Sequence, residues 1–184
     1  MKKIILFIAI IIIILVGGFF WLNNYVYVEK QGVKGFQKGY KDSSYIIEGR
    51  EITFINGFSE IQTAQGSASK IITKYFGNEA EGDLNSDGVS DIVFLLTQEG
   101  GGSGIFYYIV AGIKTDDGYY GTNGILLGDR IAPQATQIDN GEIVVNYTDR
   151  KANEPMTTSP SIGVSKYFKV SGNILAEINK DIVK

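Results

Sequence analysis

Gln65-Gly66-Ser67-Ala68-Ser69-Lys70-Ile71-Ile72-Thr73-Lys74-Tyr75-Phe76-Gly77 is the stretch on which the fold class of this 184-residue chain turns. Its apolar positions, Ala68, Ile71, Ile72, Tyr75 and Phe76, follow the i, i+3, i+4, i+7, i+8 spacing of one helix face. Ser67 stands where an N-cap hydroxyl belongs, and Gly77 where a helix closes. The spacing predicts one amphipathic helix over residues 65–76. Upstream, Tyr45-Ile46-Ile47 and Ile52-Thr53-Phe54-Ile55 flank residues 48–51 and end at Asn56-Gly57, which predicts a hairpin. Downstream, short apolar or alternating runs recur at 92–97, 105–113, 124–127, 136–138, 142–147, 164–170 and 173–178, parted by turns containing glycine, Asn or Asp. One helix followed by many strands, with no helical crossovers, predicts an α+β fold. It would be a mostly antiparallel sheet or curled barrel with that helix packed on one face.

Composition narrows the chemistry. The chain is 44% hydrophobic and 20% charged, with 11 Tyr and 10 Phe, which suits a folded sheet protein rather than a disordered one. It has no cysteine, so disulfides, thiolate nucleophiles, lipidated cysteines and Cys-ligated metals are excluded. It has no histidine, which removes Ser/His/Asp triads and the commonest metal ligand.

The N-terminus divides from the rest. Lys2 and Lys3 precede residues 4–22, nineteen residues without a charge, roughly 28 Å as a helix against a hydrocarbon core of roughly 30 Å. Phe19, Phe20, Trp21, Tyr25 and Tyr27 would form an aromatic belt at the far end. The run predicts a transmembrane signal-anchor over residues 1–23, N-terminus cytoplasmic, with the competing reading a signal peptide cleaved near Val16-Gly17-Gly18. Residues 24–44 read as a basic, solvated tether and 45–184 as one extracytoplasmic domain. Residues 1–44 carry six Lys/Arg against two Asp/Glu, and residues 45–184 eleven against eighteen, a net charge of +4 against −7. An acidic domain of this kind is a poor nucleic-acid partner.

The sharpest local motif is Asp83-Leu84-Asn85-Ser86-Asp87-Gly88-Val89-Ser90-Asp91. Asp83, Asn85, Asp87 and Asp91 fall at positions 1, 3, 5 and 9, Gly88 at 6, and Val89 at 7, where a backbone carbonyl serves. That spacing folds a loop around a hard cation, so Ca2+ is the candidate cofactor and Asp83, Asn85, Asp87, Val89 and Asp91 the candidate metal residues. Phe94 stands where an EF-hand has its bidentate Glu. The competing reading is a metal-free Asx-stabilised turn.

Other motifs are weaker. Ser67-Ala68-Ser69-Lys70 matches S-x-x-K, but Lys114-Thr115 is followed by Asp116 and Ser86-Asp87 by Gly88, so the K-T-G and S-D-N partners of the penicillin-binding enzymes are missing. Gly100-Gly101-Gly102-Ser103-Gly104 lacks the Lys-Ser/Thr ending of a phosphate loop and reads as a flexible hairpin beside Gln98, Glu99 and Tyr107. Asp129-Arg130 and Asp149-Arg150 read as structural pairs, and Asn146-Tyr147-Thr148 is a glycosylation acceptor inside an expected strand.

Two resemblances follow from these residues. Asp83 to Asp91 resembles the calcium loops of FG-GAP-type extracellular repeats. Tyr75-Phe76-Gly77-Asn78, the glycine loop, Asp129-Arg130, Val145-Asn146-Tyr147, Glu154-Pro155-Met156 and Tyr167-Phe168 together resemble a family of small uncharacterised bacterial envelope proteins, membrane-anchored or lipoprotein-type. That likeness implies an envelope location and no assigned activity, and the lipobox cysteine expected of relatives is absent. The functional expectation is a non-enzymatic module, without catalytic residues, that binds an envelope protein, wall polymer or ligand. The alternative is a carboxylate hydrolase using Asp83, Asp87, Asp91 or Glu99.

Overall fold

The computed structural model describes residues 38–64 and 66–180, which lie within one compact unit beginning at Lys38. A 3-10 turn, Tyr40–Asp42, leads into twelve strands: β1 (Ser44–Ile47), β2 (Arg50–Thr53), β3 (Phe58–Gln62), β4 (Lys70–Gly82), β5 (Asp91–Glu99), β6 (Phe106–Thr115), β7 (Gly118–Gly121), β8 (Ile125–Asp129), β9 (Ala132–Asp139), β10 (Glu142–Asp149), β11 (Ile162–Ser171) and β12 (Ile174–Ile178). Every strand-to-strand pairing is antiparallel. Turn chemistry sets the register. Glu48-Gly49, Asn56-Gly57 and Asn140-Gly141 each place two successive residues at positive φ, the backbone of a tight hairpin turn that follows the twist of the strands.

The expected packed helix is corrected by β4. Among the described residues no helix reaches seven residues, and residues 70–76 lie in a strand paired with β3 and β5. The apolar pairs 71/72 and 75/76, spaced like a helix stripe, sit instead on opposite faces of a strand that is only partly covered, with Phe76 44% exposed. Ile71-Ile72-Thr73 is a β-branched run, which favours the extended chain. The α+β class gives way to an all-β fold. The single-pass membrane reading, with its transmembrane helix and signal-anchor, is also corrected: among the described residues no helix is long and apolar enough to cross a membrane. The segment that carried it, residues 4–22, lies outside the described residues, as does most of the 24–44 tether.

Three sheets build two cores. The central sheet runs β3-β4-β5-β6-β7, with β8 sharing the far edge of β6. Residues 91–98 of β5 are buried along both faces. Val93 and Leu95 join Ile109, Ala111 and Ile113 of β6 in a core against the sheet β12-β11-β10-β9, which contributes Ile143, Val145, Tyr147, Phe168, Val170 and Leu175. Ile92, Phe94 and Leu96 point the other way, where Tyr45, Ile47, Ile52 and Phe54 of the β1–β2 hairpin and its following turn cover them. The hairpin and the segment before it are seated by isolated parallel bridges from Ile46 to Asn123 and from Lys38 to Gly118, so the separate two-stranded sheet β1-β2 lies beside β7 and covers the second core. Burying a large apolar side chain contributes about 1.5–3 kcal/mol. A central strand buried on both faces is therefore the main stabilising element.

Candidate functional site

The acidic motif forms a tight turn between β4 and β5. Asp83 Oδ1 accepts the backbone N–H groups of Ser86 and Asp87 at 2.7 and 3.2 Å, and its Oδ2 accepts that of Gly88 at 2.9 Å. Asn85 Oδ1 accepts Asp87 N–H at 3.0 Å, Asp87 Oδ1 accepts Val89 N–H at 2.7 Å, and Asn85 Nδ2 donates to Asp87 Oδ2 at 2.8 Å. The Gly88 amide and its neighbours hold the Asp83 carboxyl below its ordinary range. Asp91 is turned elsewhere. It is 1% exposed, and its oxygens accept Leu84 N–H at 3.0 Å and Lys114 N–H at 2.8 Å, tying the turn to β6. Burial pushes its carboxyl up, and the nearby Asp87 and Asp83 charges add to that.

The donor chemistry of the turn suits calcium, but the arrangement spends much of it on the backbone. A carboxylate has about four acceptor sites, and Asp83 commits three of them. Among the described residues no three acidic side chains converge on one point. The Asx bonds, together with the Leu84–Asp91 bond, define the shape of the turn.

The remaining sequence candidates separate. Asp91 and Glu99 begin and end β5, eight residues apart and so roughly 26 Å at about 3.3 Å per residue. Glu99 pairs instead with Lys74 at 3.3 Å, and no single active centre spans that gap. Ser67, expected as a helix cap, lies in the β3–β4 loop, where its Oγ accepts Ser69 N–H at 3.0 Å and the Thr63 hydroxyl at 3.1 Å. Lys70 reaches Glu60 at 2.5 Å and not Ser67. Arg150 donates to the backbone carbonyls of Asp129, Arg130 and Thr158 and so pins the β10–β11 loop to the β8–β9 turn, while Arg130 forks onto Asp129 at 3.1 Å through both nitrogens. Asn146 lies in β10 and accepts the Ser165 hydroxyl at 2.6 Å.

Sequence reasoning missed a half-open cleft of about 470 Å3 where β1 and β2 meet β7, lined by Lys38, Ser43, Ser44, Ile46, Gly49, Glu51, Tyr119, Tyr120 and Gly121. Its floor depends on Gly121, whose missing Cβ would stand 2.1 Å from the Ser44 carbonyl oxygen. Ser43 Oγ donates to the Tyr119 and Gly39 carbonyls, and Ser44 Oγ lies 2.8 Å from Thr53 Oγ1, so the hydroxyls are spent. Ile46 and Tyr120 are 46% and 52% exposed. Lys38 and Glu51 are exposed, and although the Lys38 carbonyl accepts the Tyr119 N–H at 3.1 Å, neither the Lys38 ammonium nor the Glu51 carboxylate has an ion-pair or hydrogen-bond partner among the described residues. A second hollow, of about 420 Å3 on β11 and β12, has its charges matched internally: Lys166 pairs with Glu177 at 3.0 Å and Lys180 with Glu142 at 2.5 Å.

Beside the second core, Glu79 accepts the hydroxyls of Tyr40, at 2.7 Å, and of Tyr75. The Lys41 ammonium lies 3.7 Å from the same carboxylate and 3.7 Å from the Tyr75 ring centroid. Burial, outweighed by these bonds, leaves the Glu79 carboxyl below its usual range. Burial, aided by Glu79, pushes the Tyr40 phenol up to about 12. This cluster straps the segment leading into β1 onto β4.

No protein-family profile, curated protein or solved structure matches the chain.

Proposed function

We propose that this domain is a non-catalytic binding module that seats its ligand in the cleft of β1, β2 and β7. The observation that carries the reading is a pair of opposite, unpartnered charges, Lys38 and Glu51, flanking the exposed Ile46 and Tyr120. The volume lies within the roughly 300–1,000 Å3 of small-ligand sites, and apolar walls with a few polar groups are what such sites use. Two opposite charges that stand open in one concavity, not on a flat surface, support recognition. The net −7 of residues 45–184 speaks against a nucleic-acid ligand. The 83–91 turn serves as a weak calcium loop in this reading, through Asp83, Asn85, Asp87 and the Val89 carbonyl, with Asp91 fixing the start of β5. Its support is the regular spacing of hard oxygen donors.

Ligand-observed NMR of a fragment library against the full-length chain tests the site. Fragments that bind are expected to lose their signal with Tyr120→Ala and with Glu51→Lys. Hits indifferent to both substitutions would place binding elsewhere and overturn the reading.

A further inference from the structure

Resting on that reading, we infer that the ligand is a short extended peptide with free ends, its ammonium terminus at Glu51 and its carboxylate terminus at Lys38. The first argument is length. Lys38 bridges Gly118 and Ile46 bridges Asn123, which separates the two bridges by five residues of extended chain, roughly 16 Å. Glu51 stands directly across from Ile46 on the β1–β2 ladder. The cleft thus has a basic end and an acidic end about 16 Å apart, the span of an extended pentapeptide. The ammonium and carboxylate of a free amino acid, about 3 Å apart, cannot reach both.

The second argument is what lies between. Tyr120, exposed between the two bridges, and Ile46, exposed beside Glu51, give the cleft an apolar stretch that matches uncharged side chains. Gly49 leaves the acidic end open, with nothing within 4 Å of where its Cβ would stand. Opposite charges at the two ends also fix direction. A peptide lying the other way would set ammonium against ammonium and carboxylate against carboxylate, which is destabilising.

The test uses Ala-Ala-Leu-Ala-Ala in four forms, with free ends, N-acetylated, C-amidated and doubly capped, against the full-length chain immobilised on a biosensor. The free peptide is expected to bind most tightly, each cap weakening it roughly threefold to fivefold, as for exposed charge pairs. Lys38→Ala should weaken the free and acetylated peptides by that factor and leave the amidated one unchanged. Glu51→Ala should weaken the free and amidated peptides and leave the acetylated one unchanged. Equal binding of the free and doubly capped peptides, or a cap-independent effect of either substitution, would overturn the proposal. If no peptide binds while fragments still compete at Tyr120, this inference falls and the cleft reading stands. If neither binds, both fall.

Discussion

Replacing Gly121 by alanine is expected to be among the most damaging small changes in this domain. The added Cβ would lie 2.1 Å from the Ser44 carbonyl oxygen and 2.6 Å from Tyr45 Cδ1, the first of them a backbone atom that cannot swing aside. Relief requires β1 to lift from residues 121–124 by about 1 Å, since carbon–oxygen contacts settle near 3.2 Å or beyond. That movement strains the seam formed by Ile46 N–H to the Thr122 carbonyl at 3.2 Å and Gly124 N–H to the Ile46 carbonyl at 2.7 Å. It also disturbs Tyr45, fully buried and edge-on to Phe94 at 5.4 Å between centroids. Overpacking costs about 1–3 kcal/mol and each lost hydrogen bond about 1 kcal/mol, giving roughly 3–5 kcal/mol in all. At about 3–4 °C per kcal/mol, the melting temperature should fall by roughly 10–20 °C. Gly163→Ala is the control: nothing lies within 4 Å of its Cβ position and its φ is ordinary, so the change should stay within about 0.5 kcal/mol. Urea denaturation followed by circular dichroism reads both. A Gly121→Ala protein as stable as the parent would refute the seating of β1 on residues 121–124, and with it the cleft.

Three further outcomes follow from the same geometry. Calcium at about ten times a dissociation constant of roughly 0.1–1 mM should stabilise the domain by about 1.4 kcal/mol, a shift of roughly 3–5 °C that Asp87→Ala abolishes; identical melting in calcium and in chelator would leave the 83–91 loop as a turn only. Arg150→Ala removes the donor to three carbonyls and should lower stability by about 2–4 kcal/mol, read as a shift in urea midpoint at constant slope, and an unchanged midpoint would contradict the pinning role. Asp83 and Asp129 have folded pKa values held below those of the unfolded chain, Asp83 by the Gly88 amide and its neighbours, and Asp129 because the Arg130 fork and the Ile105 amide outweigh its burial. Their stabilisation is present above the ordinary Asp value near 4 and is lost as pH falls through the depressed folded values, so Asp129→Asn should flatten the acid limb of a melting-temperature profile. Asp91 has a raised value and works in the opposite sense, favouring the fold as it protonates.

Much of the fold was legible because turn chemistry is local. Asn56-Gly57 and Asn140-Gly141 adopt the positive-φ pairs that their sequence announces, and the expected runs from 92–97 onward coincide with β5, β6 and β8 to β12. β4 defeats the periodicity because it sets some apolar residues on each face, Tyr75 against the second core and Phe76 beside Tyr107; Ile71-Ile72 and Tyr75-Phe76 mimic a helix stripe, whereas the β-branched Ile71-Ile72-Thr73 and the bulge at Gly77-Asn78 carry the better signal. β7 was invisible, since Gly118-Tyr119-Tyr120-Gly121 has no period of its own and owes its conformation to β6. The acidic motif was legible as a turn, because its Asx bonds span at most five residues. The cleft was not. Lys38, Ile46, Glu51 and Tyr120 are unremarkable in sequence: Ile46 and Glu51 pair within the local β1–β2 hairpin, but that hairpin and Lys38 reach the β7 region only through long-range parallel bridges.

The central claim is that ligands enter the cleft of β1, β2 and β7. Backbone amide shift mapping tests it most directly, on the isotope-labelled full-length chain titrated with the free pentapeptide and with the fragments that bind. The account predicts that the largest shifts fall on Ile46, Gly49, Glu51, Tyr120 and Gly121. Shifts concentrated in the 100–104 glycine loop or the 150–161 loop, with the cleft amides unmoved, would contradict it.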